Sequence, residues 1–287
     1  MVLYISNEFL NRSFSNLFGN NMIPKIIHQT WKHDKDLPKI ESFEAMPPDF
    51  QESYKSWKVN HPTWQYIYWT DEMNRKLIEE DFPWFLSYYD NFQYNIQRAD
   101  AIRYFILYKY GGIYVDLDEK STNPIDPIID EMNRNGDQLG FVKSTLGNYF
   151  SFSNWFMISS KENPFWKSVW IEIMKPYKHF TKHFTVINSA GPGMLSRVIK
   201  REKVEYKLLD KGFHPCGACD TKPCEKEGYY IAHLSGQSWN NNLTFFMMKL
   251  WCNKVMILFF FIFVVLLGCC CAYYKPLSTT SSERVCI

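Results

Sequence analysis

The sequence predicts an α/β protein with one membrane-spanning helix near its C-terminus, and three observations carry that expectation. Short β-branched and aromatic runs alternate with helical patterns along residues 23–245. At the centre, residues 95–118 read NIQRADAIRYFILYKYGGIYVDLD: a helical pattern, a double glycine, then a short apolar strand ending in carboxylates. Residues 255–274 form an uncharged stretch of about twenty residues, long enough to cross a bilayer as a helix. At 287 residues the chain can hold one large α/β domain or two small ones. A net charge of +2 gives no electrostatic footprint for nucleic acid. The aromatic content of 18% suits carbohydrate stacking, although filling a core accounts for most such residues.

The central stretch explains itself element by element. Ala101, Phe105 and Tyr108 fall on one helical stripe with Ile102 and Ile106 beside it, and Arg98, Asp100 and Arg103 lie on the polar flank. The helix is expected to stop at Gly111-Gly112, because a glycine just past the last turn accepts the left-handed backbone that ends helices. Ile113-Tyr114-Val115 then reads as a buried strand that runs out into Asp116-Leu117-Asp118. Residues two apart on a strand share a face, so Asp116 and Asp118 are expected to project together while Leu117 turns to the core. Two carboxylates so close repel unless something neutralises them. Mg2+ or Mn2+ does so, held by one or two carboxylates and completed by water and substrate phosphates. The C-terminal edge of a strand is also where open α/β sheets place their ligands. A D-x-D pattern alone is equally a solvated surface pair; the order of elements around it points to a metal.

The segment 98–118, RADAIRYFILYKYGGIYVDLD, resembles the signature of the DXD-containing sugar transferases of glycosyltransferase family 32. That family includes fungal mannosyltransferases acting on N-glycans and on inositol phosphorylceramide, and more distantly resembles the glucosylating clostridial toxins. The resemblance covers about residues 23–239. It implies a GT-A type fold, with a Rossmann-like nucleotide-binding half merged with an acceptor half. It also implies metal-dependent transfer of a hexose from a nucleotide sugar to a glycan or glycolipid, with retention of anomeric configuration. GDP-mannose is the donor it favours, ahead of UDP-galactose or UDP-glucose. The alternatives are a non-catalytic membrane-anchored sugar-binding protein and a metal-dependent phosphohydrolase that releases sugar to water.

Along the chain, residues 1–22 are a polar lead without the long apolar core of a secretory signal; a short amphipathic helix is open through Phe9, Leu10, Phe14, Leu17 and Phe18. Residues 23–31, IPKIIHQTW, read as the first strand and resemble the family's opening strand. The resemblance gives Trp31 a stacking contact with the nucleotide base, whereas the residue type alone fits a core tryptophan equally. His28 reads as a structural histidine. Residues 32–48 are a charged, proline-punctuated loop, 53–60 a helix closed by His61-Pro62, and 64–69 an aromatic strand. Thr70 is placed to cap the next helix, with Asp71 and Glu72 against its dipole. In the relatives a D-x-x-R pair contacts the donor's ribose and its phosphate or base, which implies that role for Asp100 and Arg103; the same spacing also gives a surface ion pair. Tyr114 matches a donor-contacting tyrosine.

Residues 121–127 are a turn-rich exit, and 140–142 and 151–158 further strands. Ser153-Asn154-Trp155-Phe156-Met157 resembles the family's N-x-F-M segment, which implies that Asn154 lies near the reacting sugar. A helix follows over about 163–175. Gly191-Pro192-Gly193 resembles a turn on the acceptor side, or is a plain helix start; Ala190 stands where the relatives usually carry Thr. The segment 233–239, HLSGQSW, resembles the family's closing H-x-x-x-x-S-W. By that match His233 is a candidate third metal ligand, and Ser238 and Trp239 are candidates for metal or phosphate contact.

Cys216, Cys219 and Cys224, near His214, carry the ligand types of a small structural Zn2+ site but lack a second C-x-x-C; a disulfide in an oxidising lumen is the competing reading. Lys249 and Lys254 precede the apolar stretch 255–274 and Lys275 follows it, so positive charge does not set its orientation. Cys269-Cys270-Cys271 suits palmitoylation or apolar filling, and 275–287 is a short polar tail. The expectation is an internal membrane such as ER or Golgi, with a single pass and the catalytic body on the cytosolic side. The fungal relatives face the Golgi lumen through an N-terminal anchor.

Overall fold

The computed structural model describes residues 21–30, 45–144, 151–179, 181–210, 212–213, 228–234, 252 and 254–273, with side chains in the last run from 258 to 267. The chain divides into two units, residues 1–239 and 240–287.

The first unit is built on a six-stranded mixed sheet in the order β2-β1-β3-β6-β5-β7. β1 (Ile26–Thr30), β2 (Gln65–Trp69) and β3 (Gly112–Val115) run parallel, β1 lying between the other two. β6 (Phe152–Ser159) returns antiparallel against β3, and β5 (Leu139–Lys143) pairs antiparallel with β6 and parallel with β7 (Lys207–Leu209). A separate two-stranded ribbon joins β4 (Glu119–Ser121) to β8 (Ile231–His233). The helices are α1 (Pro48–Asn60), α2 (Asp71–Asp81), α3 (Pro83–Asp90), α4 (Asn95–Tyr110), α5 (Asp126–Asn135), α6 (Phe165–Ile173), α7 (Lys182–Ser189) and α8 (Pro192–Glu202).

Alternation along the strands divides the core between two helical layers. Tyr114 of β3 and Met157 of β6 pack with Ile102, Phe105, Trp166 and Leu195 on one face. Ile113, Val115, Phe156 and Ile158, one residue out of phase, pack with Trp57 of α1 and Ile129 of α5 on the other. Neighbouring strand residues point to opposite faces, so both faces of a covered sheet must be apolar.

The α4–β3 junction forms as its sequence requires. Gly111 ends the helix, its N–H bonding the Leu107 carbonyl at 2.9 Å, and both Gly111 and Gly112 hold positive φ (65° and 87°). A Cβ on Gly112 would lie 2.5 Å from the Ile26 carbonyl oxygen, so the glycine is also what lets β3 approach β1. Thr70 caps α2 by accepting from the Met73 N–H at 3.2 Å.

Three expectations are corrected. The polar flank of α4 is not solvated at Asp100 and Arg103: residues 99–107 are all buried, while Arg98 is half-buried, because the sheet and neighbouring helices pack against this stretch. β3 ends at Val115, and Asp116-Leu117-Asp118 forms a turn in which the Glu119 N–H bonds the Asp116 carbonyl at 3.1 Å. Leu117 does reach a core, a small cluster with Met46. The exit at 121–127 also holds more structure than its turn residues suggest, namely the last residue of β4 and the start of α5. At Gly191-Pro192-Gly193 the chain makes the plain helix start, with Pro192 in the first turn of α8.

In the second unit, Lys254–Tyr273 forms α9. Among the described residues no helix is long and apolar enough to cross a membrane, so the expected span is not carried by the structure. The side chains that are described there, from Leu258 to Leu267, are apolar and exposed.

Candidate active site

The site lies where the parallel strands change direction of succession, with β2 flanking β1 on one side and β3 on the other, the position at which open α/β sheets place their ligands. Asp116 immediately follows β3. Its main chain is pinned on both sides: its N–H donates to the Trp155 carbonyl at 2.8 Å, and its carbonyl accepts from Gln29 Nε2 at 3.1 Å. Gln29 in turn accepts from the Tyr66 hydroxyl.

The Asp116 carboxylate is braced from below. Tyr114 Oη donates to its Oδ1 at 2.9 Å, and the Arg103 guanidinium lies 3.2 Å from the same oxygen. Arg103 is buried and its donors are spoken for. Nε bonds the Ala99 carbonyl (3.1 Å), a terminal nitrogen bonds the Asn154 carbonyl (2.7 Å), and the other pairs with Asp100 Oδ1 (2.9 Å). Its guanidinium also sits 4.7 Å from the centre of the Tyr114 ring. Burial alone would lower its pKa, but Asp116, Tyr114 and Asp100 more than offset that and hold it charged. Asn154 Nδ2 completes the network by donating to Asp100 Oδ1 at 3.0 Å and Tyr104 Oη at 3.2 Å, and Tyr104 donates to the Ala190 carbonyl at 2.8 Å. Asp100, Arg103, Tyr114 and Asn154 therefore form one buried lattice whose exposed end is Asp116.

Two residues further on, the environment changes. Asp118, Glu119 and His233 each offer a ligand atom, all within 4.8 Å of one another. The register of β4 against β8 sets Glu119 opposite His233, and His233 Nδ1 lies 2.8 Å from Glu119 Oε1. The Leu234 N–H holds the Asp118 carbonyl at 2.8 Å. Burial, and then the charges of Glu119 and Asp116, push the Asp118 carboxyl well above the usual range. Burial also lifts Glu119 to about 7, with His233 restraining it. Burial would lower His233, but its hydrogen bond and charge pairing with Glu119, with Asp118 and Asp116 adding, raise it to about 9.

This donor set suits a divalent cation. Carboxylate oxygens with one imidazole are ligands for Mn2+ or Mg2+ rather than for a soft metal. A buried carboxyl, Glu119, beside a half-buried one, Asp118, with a single histidine for compensation, forms a site that a cation would relieve.

The structure thus brings together Asp100, Arg103, Tyr114, Asp116 and Asn154 in one network, and Asp118 and His233 in a second. A turn rather than a strand separates Asp116 from Asp118. His28 is structural: buried, it lies 3.0 Å from the Gly111 carbonyl through Nε2 and accepts from Trp69 Nε1 at Nδ1 (3.1 Å). Trp31, Ser238, Trp239, Cys216, Cys219 and Cys224 lie outside the described residues.

Comparison with known proteins agrees with this geometry. Residues 47–135, which hold α1 through α5 and both carboxylates, match the model of the glycosyltransferase sugar-binding region containing a DXD motif. Inositol phosphoceramide mannosyltransferase 3 of Schizosaccharomyces pombe is 34% identical over 258 residues, covering 87% of this chain. The chain is similar to the DXD-containing glycosyltransferases, and residues 47–135 carry the match to their sugar-binding region. Mannosyl phosphorylinositol ceramide synthase SUR1 of Saccharomyces cerevisiae is 37% identical over 187 residues, 63% of this chain. The chain spans 65% of the length of the first relative and 43% of the second. Among solved structures, PaToxG glycosyltransferase aligns with a TM-score of 0.45 at 18% identity, covering 69% of this chain and 79% of its own.

One member of this candidate site was missed in the sequence. Glu119 directly follows the D-x-D, where it reads as an ordinary polar residue. The signal that exposes it is strand pairing with a residue 114 positions away.

Proposed function

We propose that this chain transfers a hexose from a nucleotide sugar to a glycolipid or glycan acceptor in a metal-dependent reaction. Mannose is the sugar favoured by the names of the relatives, and an inositol phosphoceramide is the acceptor they suggest; GDP is the carrier we assign to it. A UDP-hexose donor is the second reading. The observation that carries the proposal is the juxtaposition, at the C-terminal end of β3, of a braced Asp116 with the under-compensated group Asp118, Glu119 and His233. The GT-A type architecture is the reading that the mixed sheet and its switch point support.

In this mechanism Asp118 and His233 would hold the cation, and Asp116 would reach it through water or meet the donor's ribose. A divalent cation bound there would supply charge neutralisation for the departing diphosphate. Arg103 does not touch the donor; with Asp100, Asn154 and Tyr114 it fixes Asp116 in position, a preorganisation that costs nothing at the moment of reaction. We place the protein on an internal membrane through 255–274, a reading supported by the uncharged sequence and by the exposed apolar side chains of α9. The cytosolic side is proposed for the body, and protection of residues 23–239 from protease in intact vesicles would overturn that side.

The test is a thermal-shift series with GDP-mannose, UDP-glucose and UDP-galactose, each with and without Mn2+. A ligand at a hundred times its Kd stabilises by about 2.7 kcal/mol. The expected result is Mn2+-dependent stabilisation by one nucleotide sugar, and sugar release that rises when the inositol phosphoceramide acceptor is added. Stabilisation by no donor, or release indifferent to acceptor, would remove the transferase reading.

A further inference from the structure

Glu119 is buried, and four hydrogen bonds fix where it sits. Its carbonyl accepts from Ser53 Oγ and from Trp57 Nε1, both at 2.8 Å, so α1 clamps this residue of β4. Its N–H closes the turn onto the Asp116 carbonyl. The residue paired with it across the ribbon is His233, and the Glu119 carboxylate meets Nδ1 of that ring at 2.8 Å. A carboxylate with no proton can only accept, so at this contact Nδ1 carries the hydrogen and donates. In the neutral ring that a metal requires, the lone pair is then left on Nε2. A histidine that ligates a metal needs its free nitrogen defined in this way, and the usual device is a hydrogen bond from the other ring nitrogen to a carboxylate.

We propose that Glu119 is a positioning residue for the metal site: it acts through His233, holding the ring in the tautomer and orientation that present Nε2 to the cation beside Asp118. The inference rests on the metal-dependent reading above. Glu119 supplies no ligand atom itself, and α1 serves the site by anchoring Glu119 through Ser53 and Trp57. The clamp explains why a buried carboxyl is tolerated next to Asp118, where its charge is otherwise unfavourable.

The experiment reads Mn2+ affinity of the full chain, by the electron paramagnetic resonance signal of free Mn2+, in the parent, Asp118→Asn, His233→Asn, Glu119→Gln and the double variant Glu119→Gln with His233→Asn. Glu119→Asp is a second test of the contact, since it keeps the charge but withdraws the carboxylate by one methylene. Thermal melts establish that each variant is folded. The expected loss for Glu119→Gln is about ten- to a hundredfold, the usual cost of removing a partner of a metal-bound histidine. Glu119→Asp should lose affinity as well. In the His233→Asn background, Glu119→Gln should cost nothing more, because the path through the ring is already gone. A full second loss in that background would make Glu119 a ligand in its own right and overturn the proposal, as would parent affinity in both Glu119 variants. If Asp118→Asn also binds Mn2+ like the parent, the metal-dependent reading itself has failed. If Asp118→Asn loses binding while the Glu119 variants do not, only the present inference falls.

Discussion

Asp116 and Asp118 stand two residues apart and live in opposite electrostatic worlds. Asp116 faces a buried arginine and a tyrosine hydroxyl, and its main chain is held on both sides. Asp118 shares its corner with a second carboxylate and one histidine, and burial disfavours its charge. The first carboxylate has had its counter-charge supplied by the fold. The second has not, and the shortfall is what a divalent cation would make up. In the proposed reading the two aspartates are therefore not equal ligands: one is preorganised by the core, and an ion would compensate the other.

The largest effect expected from this contrast belongs to Asp118. Asp118→Asn keeps shape and removes a charge that the metal-free fold disfavours, so its melting temperature without metal should be unchanged or slightly raised. Turnover should fall by orders of magnitude, since stabilisation of a leaving diphosphate is worth several kcal/mol and each 1.4 kcal/mol is about tenfold. Mn2+-dependent stabilisation by nucleoside diphosphate should vanish with it. Near-parent turnover with metal-dependent binding intact would refute the assignment.

Arg103 should behave in the reverse sense. Arg103→Met removes the cation from under Asp100 and Asp116 while filling much of its volume, and strips the partner from the Asn154 carbonyl. Breaking a buried ion pair from one side costs about 3–5 kcal/mol. Urea unfolding should show that loss in the absence of any ligand. A variant that stays as stable as the parent but loses donor binding would make Arg103 a direct donor contact and dissolve the contrast.

What was legible in the sequence tracks how local each cause is. The capped helix, the two glycines and β3 were readable because periodicity and left-handed backbone are properties of a few adjacent residues. Thr70 and its acidic first turn were readable for the same reason. Arg103 looked like a solvated flank because its partner Asn154 is 51 residues away, and nothing local reveals that a polar side chain is buried among partners. The turn after Val115 was missed because an alternating D-L-D looks like a strand until a hydrogen bond from Glu119 closes it. Assigning His233 needed the family's order of motifs, and finding Glu119 needed the β4–β8 register.

The smallest expected effect tests whether the braced half depends on its foundation in β1. His28 is wholly buried, one residue before the glutamine that holds the Asp116 carbonyl, and it ties Gly111 at the helix end to Trp69 of β2. Its Nδ1 accepts a hydrogen bond, so the ring must be neutral, and burial lowers its pKa to about 4 despite the opposing Gly111 carbonyl. The unfolded chain binds this proton at about 6.5. Between those values the unfolded state holds more protons than the native one, so stability rises with pH and is lost as pH falls from about 6.5 to about 4. A shift of that size amounts to roughly 3 kcal/mol once fully expressed, each pH unit being about 1.36 kcal/mol. His28→Asn cannot titrate there, so its stability should fall less steeply than the parent's across the same window, even if it starts lower at neutral pH. Urea unfolding at half-unit steps from pH 7 to pH 4 measures both slopes. Parallel slopes would mean that His28 takes its proton without unfolding the junction, and that the brace under Asp116 does not need β1 to be locked to α4.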